Sequence, residues 1–306
     1  AAAPPAWTYA EGGSDWPGVC ADGSHQSPIG IVTGSELAPA LPPEARASLN
    51  FGVALGLRIF NTGRTVQVEW DDLDGSNASV PILGTGWASI YDPAALYSTP
   101  TGPPPKLFQI PFKPFQIHWH SACEHVMDGD ACPLELHIVT AVDNSTGAEV
   151  PEPCNAAPCL AVFGVLLKYN PDVYAPGAPY LDTILSNVPD TVGAAAATHL
   201  PGATLDLSSL LPEDLTYVAY NGSLTTPPCS ESVAWHVFVT PKAELSASQV
   251  QGLQAILGTT VEEAPAACVV NGGAPHSQLT CRIPSGARIN NRVLQPVGDR
   301  ELFVSM

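Results

Sequence analysis

Apolar residues in this chain gather in short stretches, and the period of each stretch predicts what it forms. β-branched and aromatic residues, frequently alternating with polar ones, occupy Leu57 to Phe60, Thr65 to Trp70, Phe115 to His120, Leu134 to Val142, Leu160 to Tyr169, Thr216 to Tyr220 and Val233 to Val239. All seven are predicted strands. Helical spacing is rarer: Ser246 to Leu257 puts Val250, Leu253 and Leu257 on one face behind a serine able to cap, and a second helix is predicted near Tyr180 to Val188. The 32 prolines and 26 glycines interrupt the sequence too often for longer helices. TPTGPPPK, Thr99 to Lys106, is predicted to be a stiff surface loop. No composition shift and no internal repeat divides the chain, so residues 1–306 are expected to form one mainly β domain, although the length alone would allow two.

Composition narrows the functional classes. With 45% hydrophobic and 13% charged residues, the chain has the material for a full core, which excludes disorder as its main state. Eleven basic against 29 acidic residues leave a net charge of −18, a field that repels nucleic-acid phosphates and anionic lipids. The charge suits solubility in an extracellular medium, or tolerance of high salt or acid. The longest apolar run, about Leu160 to Leu167, is far short of the ~18 residues that cross a bilayer, so no membrane span is expected. Eight cysteines and N-x-S/T acceptors at Asn77, Asn144 and Asn221 point to disulfides and to a secreted, periplasmic or extracellular location. The opening AAAPPAWTYAEGG has no basic and apolar leader regions, which implies that any signal peptide has been removed.

The informative stretch is FQIHWHSACEHVMDGDACPLELHIV, Phe115 to Val139. His118 and His120, two apart on a strand, point to the same face. Asp128-Gly129 is a strong turn dipeptide, and an ideal hairpin folded there pairs residues whose numbers sum to about 257, placing His137 opposite His120. Parity brings Gln116, Glu124 and Glu135 onto the same face. Three neutral nitrogen donors and two carboxylates then converge, a donor set suited to zinc. Three protein ligands leave the fourth tetrahedral position open to water, the mark of a catalytic rather than a structural site. Gln116 and Glu135 can each accept the free ring N–H of a ligand and fix its tautomer. A closed structural zinc on His118, His120, Cys123 and Cys132 is the rival, and it would leave His137 unemployed.

The chain resembles the α-type carbonic anhydrases over most of its length. Besides the histidine stretch, the resemblance is carried by W-x-Y at Trp7 to Tyr9, QSP at Gln26 to Pro28, NTGRTVQVEWDD from Asn61, LAVFGVLLK from Leu160, YNGSLTTPPCSESVAW from Tyr220 and NNRVLQP from Asn290. It implies a large, twisted, mostly antiparallel central sheet with short helices and long loops. It also implies zinc on His118, His120 and His137, with Gln116, Glu135 and the Asn290 carbonyl behind them. Thr225 would accept a hydrogen bond from zinc hydroxide and donate to Glu124, because an ionised carboxylate can only accept. Val139, Val162, Leu224 and Trp235, with Thr226 beside them, would line the place where carbon dioxide rests before it becomes bicarbonate. Tyr9, Thr62, Arg64 and Gln67 would form the polar side of the pocket, with Thr62 and Gln67 able to order water.

The departure from the family lies at Arg64, where the most active members carry a proton-relaying histidine. A guanidinium stays protonated and is no base, so Arg64 is expected to be a solvated surface charge. The resemblance further implies a disulfide between Cys20 and Cys229, closing a loop of about 210 residues and restraining the strand end that holds Thr225. By proximity alone the others would pair as Cys123 with Cys132, Cys154 with Cys159 and Cys268 with Cys281, connectivity that a sequence does not decide. Asn221, close to Thr225, is expected to be buried and unmodified. His25, His125, His199, His236 and His276 have no partners in the pattern. Two other functions use overlapping features: a zinc hydrolase acting on esters, although the H-E-x-x-H signature is absent, and a non-catalytic binding module of the same fold, which would normally have lost a zinc histidine. Oligomeric state is left open.

Overall fold

The computed structural model describes residues 7–34, 40–41, 43–83, 107–147, 150, 159–172, 174–257, 259–260, 288–300 and 302–305. Its strands, in chain order, are β1 (Gly30–Ile31), β2 (Val53–Asn61), β3 (Val66–Asp74), β4 (Ser79–Leu83), β5 (Leu107–His120), β6 (Val126–Met127), β7 (Leu134–Val142), β8 (Leu160–Tyr169), β9 (Thr198–Asp206), β10 (Tyr217–Gly222), β11 (Val233–Phe238), β12 (Lys242–Leu245), β13 (Thr259–Thr260), β14 (Arg288–Ile289) and β15 (Phe303–Ser305). Eleven of them form one sheet in the order β15-β10-β11-β8-β7-β5-β3-β2-β9, with β12 also paired to β8 and β4 to β5. Every pairing in it is antiparallel except those of β11 and β12 with β8. The protein is mainly β, with few short helices.

The central strands are covered on both faces, which is why β8 is a nearly unbroken apolar run in the sequence, while β7 is apolar apart from Glu135, His137 and Thr140, all of them buried. One face sends Ile117, Trp119, Leu136, Ile138, Phe163 and Val165 into the larger core. The alternate residues Val139, Val162, Leu166, Val218, Tyr220 and Trp235 build a second core on the other face. The histidines of β5 and β7 belong to this second face. Both long central strands have the bounds predicted for them. β9 was not predicted: Pro201 and Gly202 break its pattern, and it is recruited as an edge by pairing with β2, whose register shifts there between Leu55 and Leu57.

The helix Ala247–Ile256 is capped by Ser246 with a full capping box to Gln249. The Gln249 amide also donates to the Ala178 carbonyl and to Asp182, joining this helix to the helix Pro179–Leu185. That second helix stops short of the predicted Val188 because Pro189 disfavours helical backbone just before it. The Thr99 to Lys106 loop lies outside the described residues.

The hairpin register needs correction. Asp128 and Gly129 do make the turn, with φ of 51° and 81°, and Met127 bridges Asp130 as an ideal hairpin requires. Farther down, His118 pairs with His137 and His120 with Glu135, not His120 with His137. The slip of two residues arises because, between the Met127–Asp130 bridge and the His120–Glu135 rung, the arm 121–126 holds two more residues than the arm 131–134, and β6 in the longer arm pairs in parallel with β1. A shift of two preserves side-chain parity, so all three histidines still share a face.

Candidate metal centre

β5 and β7 bring His118, His120 and His137 together, each offering one nitrogen within 4.8 Å of the others. The outer nitrogen of every ring is engaged. His118 Nδ1 lies 2.6 Å from Gln116 Oε1, His120 Nδ1 lies 2.7 Å from the Asn290 carbonyl, and His137 Nε2 lies 2.8 Å from Glu135 Oε1. Each of these partners is an acceptor, so the ring proton sits on the outer nitrogen and the inner lone pairs face one another. His137 Nδ1 and His118 Nε2 are 3.2 Å apart, and His120 Nε2 is buried without a hydrogen-bond partner among the described residues. Three converging lone pairs repel unless a cation lies between them, so the donor set fits a divalent metal such as zinc. Burial holds His120 down to about 4 and keeps His118 and His137 below the usual imidazole range, so all three are neutral, as ligation requires.

Glu135 is the hub behind the site. Burial would raise its pKa, but the facing imidazoles of His125 and His137 hold it well below the usual carboxylate range. Its Oε2 accepts the backbone N–H groups of Glu124 and His125, and its Oε1 meets both rings. His125 continues to the Tyr220 hydroxyl, which donates to Ser27 Oγ. His125, Glu135 and His137 also meet the geometry of a metal cluster, but each close contact there is a hydrogen bond. Sequence reasoning left His125 without a partner, and no spacing signal would have supplied Tyr220, 95 residues away. Gly164, in β8 opposite His137, is another residue missed: a Cβ there would lie 2.9 Å from Glu135 Oε1. A glycine inside a strand pattern was its one visible sign.

Glu124 is fully enclosed. Burial raises its carboxyl to about 7, while His137, the Thr225 hydroxyl and the Arg292 amide favour the ionised form. Its Oε1 accepts the Arg292 N–H at 2.9 Å; Oε2 is buried without a well-formed bond, and the Thr225 hydroxyl is the side-chain donor that acts on this carboxylate. Val139, Val162 and Trp235 stand on successive rungs of β7, β8 and β11 and form a continuous apolar wall. The Trp235 ring is 4.8 Å from that of His137, and Leu224 packs against the same cluster. Thr226 follows Thr225 on the loop and is partly exposed.

The polar side differs in part from expectation. Arg64 is not a free solvated charge: its guanidinium lies 3.9 Å over the Trp7 ring and donates to the Trp7 carbonyl. The Thr62 hydroxyl is committed to its own turn, donating to the Thr65 carbonyl and accepting the Thr65 N–H. Gln67 pairs with His118 across β3 and β5, and its amide donates to Glu69. Tyr9 is buried in an edge-packed cluster with Trp7 and Trp16, within reach of the charges of Glu124 and Arg64.

Cys20 and Cys229 form a disulfide. Cys123 and Cys132 do not, contrary to the pairing by proximity: both are buried free thiols. Cys123 Sγ accepts the Cys132 N–H, and the Cys132 thiol donates to the Leu134 carbonyl. Cys159 is disulfide-bonded, but Cys154, its expected partner, lies outside the described residues, as do Cys268, Cys281 and His276. Asn221 is partly buried in β10, whereas Asn77 and Asn144 are exposed. His25 faces Asp299, His199 faces Asp71, and His236 is buried in the larger core's face of β11.

A mainly β sheet with a buried three-histidine pocket that can hold a metal ion defines the class of protein. A sequence model of the eukaryotic-type carbonic anhydrases matches residues 11–306, and the chain belongs to that family. It is 27% identical to a carbonic anhydrase of Dunaliella salina over 97% of its own length, although it spans only 44% of that relative. Against mouse carbonic anhydrase 1 the identity is 32%, covering 90% of this chain and 96% of the mouse protein. The structure of carbonic anhydrase Cah3 from Chlamydomonas reinhardtii, solved with acetazolamide, superposes with a TM-score of 0.63 at 26% identity, covering 98% of this chain and all of that one.

Proposed function

We propose that this protein catalyses the reversible hydration of carbon dioxide to bicarbonate and a proton, using a zinc ion held by His118, His120 and His137. The observation that carries the reading is the set of three inward lone pairs, each fixed by an outer acceptor, beside an apolar wall. When bound, a divalent zinc lowers the pKa of water at its open position and so supplies a nucleophile at neutral pH. Thr225 orients that nucleophile by accepting from it and donating to Glu124, whose enclosed carboxylate has no proton to give when ionised. Val139, Val162, Leu224 and Trp235 receive the uncharged substrate and exclude water from it, with Thr226 at their edge. Tyr9, Arg64 and Gln67 line the polar route by which the proton leaves. Arg64 cannot carry it, so the final acceptor is a buffer molecule.

The Cys20–Cys229 disulfide supports an exported protein, and exposed Asn77 and Asn144 are the sites we assign to glycans. No helix among the described residues is long and apolar enough to cross a membrane. The test measures bound zinc and carbon dioxide hydration before and after chelation, with an ester substrate in parallel. Near-stoichiometric zinc, activity lost on chelation and restored by zinc, and loss of both metal and activity in His137→Ala are expected. Metal-free protein as purified, or bicarbonate production intact in His137→Ala, would refute the reading; turnover of the ester alone would favour a hydrolase.

A further inference from the structure

Residues 290–292 lie outside the large sheet, yet they touch the candidate site at two places. The Asn290 carbonyl meets His120 Nδ1, and the Arg292 N–H donates to Glu124 Oε1. The backbone there must be held by something other than a strand ladder. The Asn290 side chain holds one end through Ser121 and Trp119. The Arg292 guanidinium holds the other, donating to Gln26 Oε1 at 2.9 Å, to the Ser27 carbonyl at 2.8 Å and to the Cys20 carbonyl at 2.7 Å. Gln26 turns its amide to the Cys229 carbonyl and to Glu231, so the chain segments on both sides of the Cys20–Cys229 disulfide converge on this one cation.

Arg292 is only 1% exposed and forms no ion pair among the described residues. Burying a guanidinium among neutral acceptors is costly, and a clamp alone does not require a charge. The charge that favours it is the Glu124 carboxylate, which faces the candidate site. The planar fork satisfies three acceptors in fixed directions, which an ammonium on a flexible stem cannot reproduce.

We infer that Arg292 is a positioning residue for Glu124, and that through it the Cys20–Cys229 disulfide holds the Glu124–Thr225 pair in register. The inference rests on the proposed hydration reaction for its kinetic consequence, but the mechanical link between Arg292 and the disulfide stands apart from it. Arg292→Lys keeps the charge and loses the fork. It is expected to lower kcat about tenfold, the lower end of what outer partners of a metal site contribute, with KM and zinc content little changed because Arg292 touches Glu124 and no metal ligand. In a Thr225→Val background the same substitution should cost less than about twofold, because the group that Glu124 receives is already gone.

A second readout needs no metal. Thiol release from Cys20–Cys229 by dithiothreitol, followed in metal-free protein, is expected to be about fivefold faster in Arg292→Lys, since local opening of the clamp exposes the bond. Losses that add in full in the double variant, or a loss carried by zinc occupancy, would overturn the positioning role. Unchanged reduction kinetics would overturn the link to the disulfide. If Arg292→Lys does not fold, Gln26→Leu breaks the bridge to Cys229 and leaves the cation in place, and it must show the same non-additivity with Thr225→Val or the inference fails. A wild-type protein that binds zinc but does not hydrate carbon dioxide would refute the proposed function while leaving the thiol-release result to decide the clamp.

Discussion

His236 should make the protein acid-sensitive by a calculable amount. Its ring is fully buried in β11, stacked on Phe163 at 4.5 Å and edge-on to Tyr217 at 5.0 Å. Burial lowers its pKa from 6.5 to about 3. In the unfolded chain the imidazole takes up a proton below about pH 6.5, while in the folded chain it stays neutral down to about 3. The unfolded state therefore binds more protons across that window, and stability falls as pH drops through it. At pH 5 the unfolded ring is almost wholly charged and the folded one almost wholly neutral. The distance from 6.5 to 5, at about 1.36 kcal/mol per pH unit, then removes about 2 kcal/mol relative to pH 8. His236→Phe keeps a flat ring against Phe163 and deletes the titration. Urea unfolding of the disulfide-intact protein, followed by tryptophan fluorescence at pH 8 and pH 5, should show wild type losing about 2 kcal/mol more than the variant, with equal urea slopes. All other groups are common to the two proteins, so their contributions cancel in the difference. An identical pH dependence in the two would refute the reasoning.

Removing the Cys20–Cys229 bond as a double serine variant frees a loop with a sequence separation of 209. On chain entropy it should cost up to about 5 kcal/mol, read from the urea midpoint at constant slope; a loss below about 1 kcal/mol would show that the unfolded chain is not constrained by it. Arg64→His should raise turnover several-fold at low buffer concentration, by releasing the clip on Trp7 and installing a base near neutral pH, and the gain should vanish in concentrated imidazole buffer. An unchanged rate at low buffer would count against a missing relay. Gly164→Ala would press a methyl group onto Glu135 Oε1 and should weaken zinc about 10- to 100-fold in chelator competition, whereas unaltered affinity would remove Glu135 from the role given to it.

Local pattern carried much of the architecture. β7 and β8 were legible to the residue because β-branched and apolar side chains dominate both, with alternation around Glu135 and His137 in β7 and an almost continuous apolar run in β8 broken only at Gly164 before Lys168. The three histidines were legible because strand parity is a local property: it survived a register slip of two that the turn dipeptide did not reveal. What the sequence alone determined, then, was composition, strand identity and the side of the sheet on which each ligand stands, all decided by neighbours a few residues apart.

Tertiary structure decided the rest, because it depends on contacts between segments whose separation no local rule encodes. β9 is a strand only because β2 offers it an edge. Cys123 and Cys132 are separate buried thiols whose sulfurs hydrogen-bond to backbone groups, although nine residues of separation suggested a bridge. His125 finds Tyr220, and Arg292 finds Cys20 and Gln26 more than 260 residues away, because the fold closes on itself there. A buried polar group must be satisfied wherever the chain brings a partner, and that partner is chosen by the packed interior rather than by spacing along the sequence.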